Sequence, residues 1–290
     1  MFSKERFVQY LFFVCALMTV VILGGIFIML LYKTLKFFEL VGLGEFFLER
    51  IWKPSAYSKP TYGVLAMLVS TLMVTVGAMV IAIPVGIGAA AYLSEVASPH
   101  VREWLKPLVE LLAGVPSVAI GFLGIVLVGP FLAKVFHLSS GINALNGSIL
   151  LAIMALPTII SVSEDAFSSV PLSYREASCA LGATKWQTIV WVTLPAALPG
   201  ILVAVMLGIG RAVGETMTVL MATGNAKAMP HSFFDSVATM TAVIASEIGE
   251  VDYGSEHYYG LFAVGCLLFL ISLLVNLLAD YFNSKMRRYA

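Results

Sequence analysis

Six apolar stretches, at about 8–31, 64–93, 108–133, 148–163, 199–222 and 259–282, constrain this chain more than any other feature. An α-helix needs roughly 20 apolar residues to cross the ~30 Å of hydrocarbon in a bilayer, and these stretches are of that order. The chain is 60% apolar and 12% charged, with a mean hydropathy of +0.95. A soluble domain runs nearer half apolar and about a quarter charged. The expectation is an all-α integral membrane protein with about six transmembrane helices. The net charge of zero gives no global field that would draw nucleic acid or an acidic partner.

The first apolar run could be a signal peptide. It reaches Leu31 and has no clear small-x-small cleavage site, so an uncleaved first span is expected. Cys15, Cys179 and Cys266 are far apart in apolar or cytoplasm-like segments and read as packing residues. The histidines have no ligand-like spacing, and no metal site is expected. Pro84 with Gly86 and Gly88 breaks the second span, Pro116 and Pro130 break the third, and the fourth is short. Broken helices survive in a bilayer where neighbours or a wet cavity satisfy the freed backbone, which hints at transport.

Six spans put both termini on one side. With that side cytoplasmic, the inside carries Lys4, Arg6, Arg102, Lys106, Arg175, Lys185, Lys285, Arg287 and Arg288. The outside carries Lys33, Lys36, Arg50, Lys53, Lys59, Lys134 and Lys227, so the bias is small. Residues 32–63 mix Phe37, Phe38, Phe46, Phe47, Leu48 and Trp52 with charge, the pattern of an amphipathic piece at the interface. Within 223–258, the run from Val237 to Ile248 reads as either a half-inserted helix or an outer cap.

Residues 164–198 form the most informative polar stretch. Pro171 followed by good helix formers predicts a short helix ending near Gly182, a residue suited to the left-handed conformation after a helix. A second helix starting near Thr184 would lead into the next span, giving a helix–turn–helix hairpin rather than a merely solvated loop. Arg211 lies near the centre of the fifth span, where an ionised group costs about 2.5–3.5 kcal/mol on insertion scales. With Glu215 four residues on and Thr218 near the same stripe, a continuous helix would put all three on one face. Gly210 and Gly214 would let another helix approach closely. Arg211 and Glu215 read either as an internal ion pair or as a planar donor fork for an oxyanion, which requires the pair to open.

The segment Glu176-Ala177, then Gly182, then Val192-x-Leu194-Pro195 resembles the EAA loop of ABC importer permeases, E-A-A-x-x-x-G with a downstream I-x-L-P. Ser178 replaces the second alanine and Val192 the isoleucine. Gly210-Arg211-Ala212-Val213-Gly214-Glu215-Thr216-Met217 with Gly224-Asn225 narrows the resemblance to phosphate-specific permeases. Trp52-x-Pro54 before Tyr62-Gly63 is also similar to that family, and Met240-Thr241 through Glu247-x-x-Glu250 points to the PstC type rather than PstA.

The resemblance implies a type I ABC importer permease fold in a bacterial cytoplasmic (inner) membrane, with both termini cytoplasmic. It divides the chain into 1–63, a first transmembrane helix and outer loop, and 64–290, the permease core with its coupling hairpin. It implies a PstA-like second permease, two ATP-binding subunits and an extracytoplasmic phosphate-binding protein. Glu176, Ala177, Gly182, Leu194 and Pro195 would then serve ATPase coupling, and Arg211, Glu215 and Thr218 the substrate path. The chain has no G-x-x-x-x-G-K-[ST] run and so lacks a phosphate-cradling loop of its own; no cofactor is expected on it, and the resemblance leaves ATP to the partner subunit. The rivals are a permease for another oxyanion, an ATP-independent transporter, an intramembrane enzyme and a membrane scaffold. For the enzyme, Asp280, His231 and His257 are poorly placed.

Overall fold

A computed structural model describes residues 2–56 and 59–286. Among these, six helices are long and apolar enough to cross a membrane: Arg6–Leu40, Leu65–Val96, Ser117–Val135, Ala144–Ser168, Lys185–Gly214 and Glu256–Ala279. In chain order the elements are α1 (Phe2–Leu40), α2 (Leu43–Leu48), the strands β1 (Trp52–Lys53) and β2 (Thr61–Tyr62), and α3 (Leu65–Ala91). After α3 come α4 (Pro99–Ala113), α5 (Ser117–Leu123), α6 (Gly129–Val135) and α7 (Ala144–Ser168). They are followed by α8 (Leu172–Ala180), α9 (Lys185–Thr188), α10 (Leu194–Gly214), α11 (Met217–Ala222), α12 (Met240–Glu247) and α13 (Glu256–Met286). Three π-helical turns join pieces of one span or extend it: Tyr92–Val96 after α3, Gly124–Val128 between α5 and α6, and Ile189–Thr193 between α9 and α10.

Helix α7 is the most buried span and forms the axis, with α3 and α10 packed on it. Small residues make this close packing possible. Ala78, Ala82, Ala152, Ala155 and Ala212 share a core with Val74, Leu151 and Ile159. A Cβ on Gly208 would come within 2.8 Å of the Ile159 side chain. By contrast, the apolar window of α1 is uncovered among the described residues, and α1 packs chiefly along α13.

Several boundaries differ from the apolar runs. The third span begins at Ser117, not near 108, because Gly114 and Pro116 end α4 at Ala113. Residues 99–113 form a separate amphipathic helix with no buried residue, capped by the Ser98 hydroxyl. The fourth span is a full 25 residues, because Ser, Asn and Glu side chains at its ends face protein partners. The fifth starts at Lys185, inside the expected hairpin, and stops at Gly214.

The described residues of the segment 41–64 pack onto one end of the bundle as a cap. Phe37, Phe46, Trp52 and Tyr62 are buried with Met240, Val243, Leu261 and Val264. Edge-to-face ring contacts lock them, Phe37 to Phe46 at 5.5 Å and Trp52 to Tyr62 at 5.9 Å. Helix α12 lies inside this end of the bundle, its first N–H donating to the Thr71 hydroxyl of α3 at 3.0 Å. Of the run from Val237 to Ile248, Met240–Glu247 is thus a short helix packed against α3 and the cap residues.

Candidate functional site

Two helix breaks meet inside the bundle. After α10 the chain turns extended at Glu215 (φ −70°, ψ 133°) and α11 begins. The fully buried Thr218 hydroxyl lies 3.1 Å from the carbonyl oxygen of Ser117, where α5 starts after its own break, and 3.0 Å from the Met154 sulfur. Met154 and Thr158 straddle the midpoint of α7, so both breaks sit at mid-depth. The Thr241 hydroxyl donates to the Glu215 carbonyl oxygen at 2.7 Å, satisfying a backbone group freed by the break.

Arg211 sits in the last turn of α10 with its side chain exposed on the open face of this chain. Its Nη1 reaches the Thr158 hydroxyl at 3.4 Å, a long contact. The Glu215 carboxylate instead accepts from the Thr218 N–H at 3.4 Å and the Thr218 hydroxyl at 3.3 Å. The expected shared helical face of Arg211 and Glu215 is therefore corrected: the helix stops between them, and no ion pair joins them among the described residues. The break turns the carboxylate toward Thr218 and leaves the guanidinium fork facing outward. A Cβ added at Gly210 or Gly214 would meet nothing within 4 Å beyond its own stretch of chain, so among the described residues no other helix uses the close approach they permit. Thr158, Ser117 and Thr241 join the site without a sequence signal beyond being polar in or beside apolar runs.

The hairpin forms as its residues predict. Pro171 leads α8, and Gly182 follows it with φ +81°. The Gly182 N–H donates to the Cys179 carbonyl at 2.9 Å and the Ala183 N–H to that of Ser178 at 3.2 Å, the paired bonds of a Schellman ending. Thr184 then starts α9 through a reciprocal capping box with Gln187. Ser178 lies against Thr188 with hydroxyl oxygens 2.9 Å apart, both buried, pinning the two arms together. Glu176 and Ala177 are exposed on α8, and the turn presents Leu181 at 90% and Trp186 at 70% exposure. Leu194 packs on Ala90, Phe167, Val170, Ala197 and Ile201, seating the second arm in the bundle. Pro195, which lacks an N–H, sits at the start of α10 after the π-helical turn.

At the opposite end, Glu247 of α12 is a buried hub. It accepts from Trp52 Nε1 at 3.0 Å, pairs with Lys227, and meets His257 Nε2 at 2.6 Å. Burial pushes its carboxyl pKa up, but the bonds from His257, Lys227 and Trp52 outweigh that and hold it at about 2. The hub walls a cavity of about 700 Å³ shared with Lys53, Asn225 and Glu250. Arg211 is not among the residues that line it.

Residues 82–288 match the family of binding-protein-dependent transport system inner membrane components. The chain belongs to that family. This importer permease is 41% identical over 273 residues to the "Probable ABC transporter permease protein YqgH" of Bacillus subtilis, covering 93% of this chain and 88% of the relative. It is 34% identical to the "Phosphate transport system permease protein PstC" of Mesorhizobium japonicum, covering 92% of this chain and 86% of the relative. Its fold is that of type I ABC importer permeases. It is similar to a chain of the MetNI methionine ABC transporter in an inward-facing conformation (TM-score 0.57, 22% identity, covering 77% of this chain and 94% of that one). It is also similar to a chain of a bacterial alginate ABC importer (TM-score 0.58, 17% identity, 78% and 80%).

Proposed function

We propose that this permease is one membrane subunit of an ATP-driven phosphate importer. The observation that carries the reading is the outward-facing Arg211 fork at mid-depth, freed from Glu215 by the helix break. A guanidinium is the side chain best matched to an oxyanion, and keeping one within a membrane span without such a use is costly. The similarity to PstC proteins adds phosphate as the anion.

In this reading the open face around Gly210, Arg211 and Gly214 meets a second, PstA-like permease. The anion passes between the two, bound by Arg211 and selected with help from Glu215 and Thr218. An extracytoplasmic phosphate-binding protein delivers it at the Glu247 end. The hairpin end is cytoplasmic, as are both termini; Arg6, Arg102, Lys106, Arg175 and Lys185 lie at that end. Arg287 and Arg288 lie outside the described residues, as do the side chains of Lys4 and Lys285. Two ATP-binding subunits hydrolyse ATP and push on Glu176, Ala177 and the Gly182 turn, and Leu194 and Pro195 carry the movement into α10. The core 64–290 is the moving part, and 1–63 is a peripheral unit packed on α13. Transport is alternating access, a shift between inward- and outward-open populations.

The test is uptake of labelled inorganic phosphate by the purified complex in proteoliposomes. Arg211→Gln removes a charge-assisted contact of about 1.5–3 kcal/mol, so uptake at subsaturating phosphate is expected to drop roughly 10- to 150-fold. Wild-type uptake by the assembled variant would sink the role of Arg211. Purification of the chain without a P-loop ATPase, under cross-linked conditions too, would sink the ATP-driven reading.

A further inference from the structure

Arg175, one turn into α8, makes contacts that its place on an exposed hairpin does not require. Its Nε and Nη2 grip both carboxylate oxygens of Glu95, at 2.6 to 3.2 Å. Nη1 donates to the Val170 carbonyl at 2.9 Å and Nη2 to the Phe167 carbonyl at 3.0 Å. One guanidinium thus joins three elements: the hairpin arm, carbonyls at and just beyond the end of α7, and the π-helical turn that ends the α3 span. The contact is largely dry, the side chains of Arg175 and Glu95 being 22% and 9% exposed. It sits on the apolar seat of Ala90, Phe167 and Val170, against which Leu194 also packs.

Beyond Glu95 the chain bends at Ser98 into α4, and there a second clasp closes. Glu164, near the end of α7 and 2% exposed, pairs with Arg102 and with Lys106 at 2.7 Å. The bend is therefore held on both sides, by Arg175 before it and by Glu164 after it. A π-helical turn has wider, weaker bonding than an α-helix, and such turns are common at functional sites. Held firmly by a charge clasp, this turn moves with whatever holds it.

We infer that Arg175 and Glu95 form the transmission pair of this permease, carrying displacement of the coupling hairpin into α3 alongside the covalent route through α9 and α10. Arg175 is a positioning residue: it faces inward, away from the exposed Leu181–Trp186 docking surface, and is distant from Arg211. Lysine cannot replace it, since a single ammonium cannot grip a carboxylate side-on while also capping two carbonyls. The covalent connection alone moves α10 and leaves α3 to follow by packing, so without the pair ATP would be hydrolysed with α3 lagging.

This inference rests on the reading of the hairpin as the ATPase contact, and the experiment separates the two. The complex is reconstituted with its ATPase and binding-protein partners, with Leu181→Cys as a cross-linking probe to the ATPase subunit in a background of Cys15→Ser, Cys179→Ser and Cys266→Ala. Arg175→Lys, Arg175→Gln, Glu95→Gln and the double variant Arg175→Gln/Glu95→Gln are measured for cross-linking and for phosphate uptake. Hydrolysis stimulated by the phosphate-loaded binding protein is measured in the same preparations. The expected result is intact cross-linking, with uptake and the stimulated-to-basal hydrolysis ratio each reduced about tenfold or more in the single variants. The double variant is expected to be no worse than the singles, the sign of two residues acting as one unit. Wild-type stimulation with cross-linking intact would overturn the pair as a transmitter. Loss of the cross-link together with stimulation would reduce it to a fold determinant, and additive losses would separate the two residues; both also overturn the inference. No cross-link in the otherwise unaltered Leu181→Cys parent would overturn the docking reading instead.

Discussion

Arg211 and Ser178 illustrate how a single side chain is given its task by the backbone around it. The guanidinium is free because the peptide at Glu215 leaves the helix, not because of any residue beside it. Thr158 makes only a 3.4 Å contact with it, so Thr158→Val is expected to raise the KM for phosphate uptake a few-fold at most, about 1 kcal/mol of lost hydrogen bonding. Labelled uptake over a phosphate series checks this, and a loss as deep as that of Arg211→Gln would make Thr158 a ligand in its own right. Ser178 stands where the family pattern has alanine, and its hydroxyl fills the gap between the hairpin arms by pairing with Thr188. Ser178→Ala is expected to loosen the hairpin by about 1 kcal/mol. The reading is faster amide hydrogen exchange over 172–188, and unchanged exchange would mean that the Schellman ending and the capping box suffice.

At the level of the element, the hairpin turn depends on Gly182 at φ +81°. A β-branched residue there pays about 1–2 kcal/mol or more for the left-handed conformation, whereas asparagine adopts it readily. Gly182→Val is expected to uncouple ATP hydrolysis from uptake and Gly182→Asn to leave them coupled. Equal behaviour of the two would remove backbone handedness from the explanation. This element was legible because turn chemistry is local: Pro171, Gly182, Thr184 and Gln187 announce themselves by type and spacing. The Glu215 break was not legible, since an apolar run with arginine and glutamate four apart looks continuous. What holds the break is long-range: Thr241 bonds across 26 residues to the Glu215 carbonyl, which no local pattern pairs with it. The same holds for Arg175 and Glu95, 80 residues apart. The start of the third span differs for a simpler reason: 108–113 is apolar enough to pass for membrane, but its leucines line one stripe of a separate helix.

On the scale of the whole molecule, one end is built on apolar ring packing and a buried charge hub, and the other on charge clasps around a hairpin. The hub has a defined response to acid. Folding lowers the Glu247 carboxyl from an ordinary 4.5 to about 2. Its stabilising contribution is therefore complete above pH 4.5 and is lost as pH falls toward 2. Glu247→Gln mimics that loss. The expected cost exceeds the ~1 kcal/mol of an exposed pair and falls short of the ~3–5 kcal/mol of a fully buried one, because Lys227 keeps part of its side chain in solvent. Thermal unfolding of the complex at neutral pH, with amide exchange over α12 as the local probe, measures it. A variant as stable as wild type would mean that ring packing alone holds this end.

The π-helical turns at Tyr92–Val96, Gly124–Val128 and Ile189–Thr193 carry a consequence for how such a chain changes over generations. Deleting one residue from an α-helical span rotates everything beyond it by about 100°, turning its protein face toward lipid. A π-helical turn already holds one residue too many, so a deletion inside it restores regular winding and leaves the faces beyond it where they were. These three places are where spans of this fold can differ in length by a residue while keeping their packing, and descendants that do so should carry the gap there.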